Sequence, residues 1–184
     1  MTLFTRRAAM SGAIALALAA CDNSVGSGAG ETIDRRVADA LSVMYQRYPD
    51  TRALANRASG MLVMPTIGTA GFVFGGSYGE GALLIDGITV DYYSATEGSF
   101  GFQAGVKETS QVIFFLTPEA LERFRRSPGW ELGAEAATVF GEVGGTLSTD
   151  SQSINADVVS FIFDEKGLQG GVAFSGIKYS RILR

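Results

Sequence analysis

Gly71-Phe72-Val73-Phe74-Gly75-Gly76-Ser77-Tyr78-Gly79-Glu80-Gly81 is the stretch whose reading separates two fold classes. As a phosphate-cradling loop it would need a Gly-Lys-Ser/Thr ending and a helix opening directly behind it. Neither follows, because Ala82-Leu83-Leu84-Ile85 continues as an apolar strand. Glycines beside aromatics, here and in Phe100-Gly101-Phe102, suit strands that bend sharply and approach one another closely. Glycine supplies 24 of the 184 residues, well above the usual ~7%, so this character runs through the chain.

Working outward, Met61–Met64 reads as a short strand closed by Pro65. Phe72–Gly76, Gly81–Ile85, Thr89–Ser94, Ser99–Val106 and Gln111–Leu116 read as further strands, with Phe72, Phe74, Phe100 and Phe102 expected in the core. Upstream, Ile33, Val37, Leu41, Met44 and Tyr48 recur at helical spacing through Glu31–Tyr48. Its mixed charges favour packing on the sheet over lying on a membrane. Pro49 ends this helix, Asp50 is expected to cap a second one through Ala58, and Gly60 to stop it.

Downstream, Thr117-Pro118 opens a helix to Arg126, with Glu119 and Glu122 ahead of Arg123, Arg125 and Arg126 in the order a helix dipole favours. Those three arginines could meet phospholipid headgroups or simply lie solvated. Ser127-Pro128-Gly129 breaks the chain before Trp130. Ala134–Phe140 reads as strand, Gly144–Asn155 as an exposed loop, Val158–Phe163 as a continuous apolar strand and Asp164–Gly167 as a turn. Gly170–Ser175 and Gly176–Ile182 complete the sheet. The expected fold is one α+β domain over residues 31–184: a curved, mainly antiparallel β-sheet or partial barrel packed with two or three helices.

The chain carries a net charge of −4, which disfavours nucleic-acid binding, since that rests on neutralising phosphates with Lys and Arg. It contains no histidine. That removes Ser-His-Asp and Cys-His catalysis and His-ligated metals. Carboxylate pairs remain, Asp164-Glu165 and Glu80 with Asp86, but the first is more simply a hairpin turn. No catalytic residue, metal or cofactor is expected.

The first twenty residues have another character. Arg6-Arg7 precedes an apolar run from Ala8 that ends in Leu18-Ala19-Ala20-Cys21, and the polar stretch Asp22–Gly30 follows. A basic start, a short apolar middle and small residues before a lone cysteine describe a secretion signal. The run is far short of the ~20 residues that span a bilayer. Leu-Ala-Ala-Cys resembles the bacterial lipobox, which implies cleavage before Cys21 and acylation of its thiol and new amine with chains such as palmitate. Residues 1–20 are then a lipoprotein signal peptide, by the general secretory or the twin-arginine route. Residues 21–30 are the acylated cysteine and a tether. The protein is expected in a bacterial cell envelope, lipid-anchored and facing the periplasm; Asp22 favours inner-membrane retention in some lineages.

Within the domain, Tyr92-Tyr93, Gly101-Phe102-Gln103-Ala104-Gly105, Phe114-Phe115 and Gly129-Trp130-Glu131-Leu132-Gly133 occur in order. Phe161-Ile162-Phe163-Asp164-Glu165-Lys166-Gly167-Leu168 and Gly171-Val172-Ala173-Phe174-Ser175-Gly176-Ile177-Lys178 continue the series. Together these resemble the SYLF domain, a lipid-binding module, in its bacterial envelope lipoprotein branch, with the likeness covering roughly Glu31 to the C-terminus. The resemblance implies a compact α+β fold, phospholipid association and no catalytic activity. The basic N-terminal region of its eukaryotic members has no close counterpart here, since Arg35 and Arg36 alternate with Asp34 and Asp39.

The sequence therefore points to a membrane-anchored, non-catalytic phospholipid-binding domain, with Arg35, Arg36, Arg47, Arg52 and Arg57 as candidate headgroup contacts and Cys21 as the lipidation site. The alternative is an envelope scaffold that binds a protein partner through sheet edges or the Gly144–Asn155 loop.

Overall fold

The computed structural model describes residues 28–71, 75–99, 105–132, 136–141, 156–163 and 176–184. Over these residues the chain forms α1 (Ala29–Arg47), α2 (Thr51–Arg57), β1 (Gly60–Gly71), β2 (Gly75–Ile85), β3 (Ile88–Ser99) and β4 (Gly105–Phe115). There follow α3 (Pro118–Arg126), β5 (Trp130–Glu131), β6 (Ala137–Phe140), β7 (Val158–Phe163) and β8 (Lys178–Ile182). The strands make one sheet in the order β5-β8-β3-β2-β1-β4-β7-β6, curled into a half-barrel. Among the described strands only β6 and β7 pair in parallel. This is the α+β partial barrel that the sequence implies.

Both faces of the sheet are covered, and alternation sorts the side chains between them. Leu62, Met64, Leu83, Tyr93, Ile113, Phe115, Ile162 and Tyr179 share one buried cluster with Leu121 and Phe124 of α3. Val63, Ala82, Leu84, Val112, Phe114, Val159, Phe161 and Phe163 share the other with Ile33, Val37, Ala40 and Met44 of α1 and Leu54 of α2. A strand buried on both sides reads as continuously apolar, and β7 is buried at all six positions. The apolar stripe of α1 is thus spent on its own sheet. Asp34 secures the docking, its carboxylate accepting hydrogen bonds from the Thr89 and Tyr92 hydroxyls at 2.9 Å each.

Four local expectations are corrected. Pro65 does not close β1; the register slips across it against both neighbours, between Val63 and Thr66 on one side and Met64 and Ile67 on the other. A bulge absorbs the missing N–H, and its extra residue returns Ile67 to the face that holds Met64. The Ser110 hydroxyl donates to the Pro65 carbonyl at 2.7 Å, so the bulge has a buried partner. Asp50 makes no capping bond and has helical dihedrals. The turn into α2 is closed instead by the Thr51 hydroxyl donating to Tyr48 O at 2.6 Å, and Gly60 begins β1 rather than stopping α2. Ser99 ends β3 while Gly105 and Val106 start β4, so those residues belong to two strands.

The glycine-rich stretch from Gly75 to Gly81 is strand, and the sheet requires it. A Cβ on Gly81 would lie 2.0 Å from the Val63 carbonyl oxygen, at the bulge. Phe72, Phe74, Phe100, Phe102, the Gly144–Asn155 loop, the Asp164–Gly167 turn, Gly170–Ser175, Cys21 and the first twenty residues lie outside the described residues.

Candidate functional site

Cations on two surfaces are candidates for contact with an anionic ligand. On the α1–α2 layer Arg35, Arg36, Arg47, Arg52 and Arg57 are all exposed. They do not converge. Arg36 and Arg47 lie eleven residues apart, three turns and about 16 Å along one flank of α1, whereas Arg35 points to the solvent side and donates to the Thr32 hydroxyl at 3.1 Å. The Arg52 guanidinium sits over the Tyr45 ring, 4.6 Å from its centroid. These residues make a dispersed surface, in which Glu31, Asp34, Asp39 and Asp50 offset all but one of the five positive charges.

The second surface is concave. Ser59, Pro118, Leu121, Glu122, Arg125, Arg126 and Arg181 line a cleft of about 530 Å³ between α3 and the sheet. The Thr117 side chain accepts the Ala120 N–H and Pro118 occupies the first turn, so α3 starts where the sequence implies and its basic last turn faces β8. The three α3 arginines then part company. Arg123 pairs with Asp157 at 3.5 Å, away from the cleft, while Arg126 pairs with Glu122 one turn back. Arg125 lies 3.7 Å from Asp91, and Arg181 meets the other oxygen of the same carboxylate at 2.7 Å. The Asp91 side chain is only 7% exposed.

Sequence reasoning singled out neither Asp91 nor Arg181. Each is an ordinary polar residue in a strand, and only the β3–β8 pairing, which sets Tyr93 opposite Arg181, brings them together beneath α3.

The Glu80–Asp86 carboxylate pair does not form. Glu80 lies mid-strand, where it accepts the Tyr78 hydroxyl at 2.5 Å and pairs with Arg184. Asp86 occupies the β2–β3 hairpin turn with φ 51°, followed by Gly87 at φ 77°. Burial pushes the Glu80 carboxyl up, but the Arg184 hydrogen bond, the Tyr78 hydroxyl and the charges of Arg184 and Arg36 outweigh it and hold it below its ordinary value. That describes a structural ion pair, not an acid–base dyad. Among the described residues no group of three or more acidic, histidine or cysteine side chains could hold a metal ion. Among the same residues no helix is long and apolar enough to cross a membrane.

Residues 96–181 match a family model, Ysc84, described as Las17-binding protein actin regulator. No curated protein matches the chain.

Proposed function

Because residues 96–181 carry a Ysc84, or SYLF, domain, we propose that this protein is a non-catalytic, membrane-anchored phospholipid-binding protein of the bacterial envelope. Acyl chains on Cys21 hold it at the periplasmic side of a membrane, and the folded domain engages the anionic bilayer surface. The observation that carries this reading is the use of the α1–α2 layer. Its apolar stripe packs on the sheet, with Ile33 3% and Met44 0% exposed, while its five arginines face outward. The layer therefore has outward arginines interleaved with acids, not an inserting apolar face, to offer a membrane. Each cation near an anionic leaflet is worth about 1 kcal/mol and is screened by salt.

Flotation of the full chain carrying Cys21→Ser with vesicles tests this. Phosphatidylglycerol vesicles should retain more protein than phosphatidylcholine vesicles, and the difference should shrink as salt rises. Equal retention on both at low salt would refute it. A scaffold role is the second reading, favoured by the family description's reference to a protein partner. Crosslinking to one specific partner together with lipid indifference would favour it.

A further inference from the structure

We infer that the α3–β8 cleft is a discrete site for a phosphate-bearing anion, gripped by Arg125, Arg126 and Arg181. Among the described residues three guanidiniums meet two carboxylates there, Asp91 and Glu122, so the cleft carries an uncompensated positive charge. The recorded ion pairs engage one terminal nitrogen of each arginine, and a guanidinium has five N–H donors in a planar fork suited to bidentate phosphate contacts. Asp91 is buried and acts as an anchor. By holding Arg181 at 2.7 Å and drawing Arg125 to 3.7 Å, it aligns two cations from different elements on one volume. Pro118 and Leu121 give the cleft an apolar wall.

The surroundings favour a phospholipid headgroup as the source of that phosphate, and in this the inference rests on the function proposed above. Leu183 is 71% and Ile88 68% exposed, an expensive placement for large apolar side chains in water. Both lie on the cleft's rim of the sheet: Ile88 starts β3 three residues before Asp91, and Leu183 follows β8 two residues after Arg181. Apolar tips beside arginines match the boundary between acyl chains and headgroups. The first turns of α1 reach the same rim, because Asp34 bonds Thr89. On the proposed acylation, the seven Cα-to-Cα steps from Cys21 to Gly28 reach at most about 25 Å. The anchor would thus hold this rim near the bilayer.

The test uses the full chain with Cys21→Ser. Calorimetric titration with inorganic phosphate and with glycerol 3-phosphate, beside flotation with phosphatidylglycerol vesicles, separates the sources. Saturable binding is expected, weakened at least tenfold in Arg125→Gln/Arg181→Gln and about threefold in Arg126→Gln. The latter side chain is 75% exposed, so its loss leaves the fold intact. An α1–α2 variant with all five arginines changed to Gln should lose salt-sensitive vesicle retention and keep phosphate binding. Vesicle binding that is indifferent to all three cleft substitutions, with no saturable phosphate binding, overturns the cleft and leaves the membrane reading standing. Cleft-dependent binding of soluble phosphate without vesicle binding keeps the cleft as a site for a soluble ester and removes the membrane reading.

Discussion

The Tyr179 hydroxyl donates to Gln111 Oε1 at 2.6 Å, although β8 and β4 are separated by three intervening strands. In a flat sheet these two strands would lie about 19 Å apart. Their side chains meet because the sheet curls, so this bond joins opposite walls of the half-barrel's concave side. Gln111 also donates to the Ser160 hydroxyl of β7 at 2.9 Å, and all three residues are fully buried.

Tyr179→Phe removes the hydroxyl and leaves Gln111 Oε1 buried without that donor. The expected cost is about 1–3 kcal/mol, read from urea denaturation. Tyr179→Phe/Gln111→Leu should recover part of the loss, since no orphaned carbonyl remains. A single variant within about 0.5 kcal/mol of the wild type would contradict the role given to this bond.

Phe124 of α3 fills the space between those walls. Its ring lies 4.7 Å from both Tyr93 and Phe115 and 5.4 Å from Trp130. Phe124→Ala should destabilise the domain by about 3–5 kcal/mol. Trp130 is the only tryptophan, so its emission should shift in the folded state of the same variant.

Gly81→Ala should prevent folding or leave a loosely packed state by near-UV circular dichroism, because main-chain atoms at the Val63 bulge would have to move. Gly68→Ala is the matched control. Among the described residues its Cβ would meet only the Tyr78 carbonyl oxygen, at 3.9 Å, an ordinary contact, and the expected change is within about 1 kcal/mol.

Acid stability should carry the mark of Glu80. Its carboxyl is held below the usual 4.5, so its contribution is complete above that value and is lost as pH falls through the lowered one. As pH falls from neutral through that lowered value, the wild type should lose more stability than Glu80→Gln. Parallel slopes in urea titrations would refute this.

Much of this architecture is legible in local pattern. The apolar run Val158–Phe163 announces a strand covered on both faces, and the period of Ile33, Val37 and Met44 locates α1 to within two residues at its start. Pro65 misleads because a prolyl residue in a central strand is tolerated only where a bulge removes its ladder partner, and the bulge depends on three strands at once. Asp50 misleads because Thr51 takes over the turn. The cleft is invisible for a different reason. Asp91, Arg125 and Arg181 are widely separated along the chain, and no spacing rule links a lone strand arginine to a helix C-terminus. Cations concentrated along α1 and α2 draw the eye, whereas a concave site assembled from three elements leaves no local trace.

At its two margins the described sheet ends in β5, two residues long, and β6, four residues long. Along those two strands, few amides offer another chain a ladder. Copies of the domain that met along those two strands would do so through side chains, not through backbone ladders, and such contacts could break without unfolding either molecule.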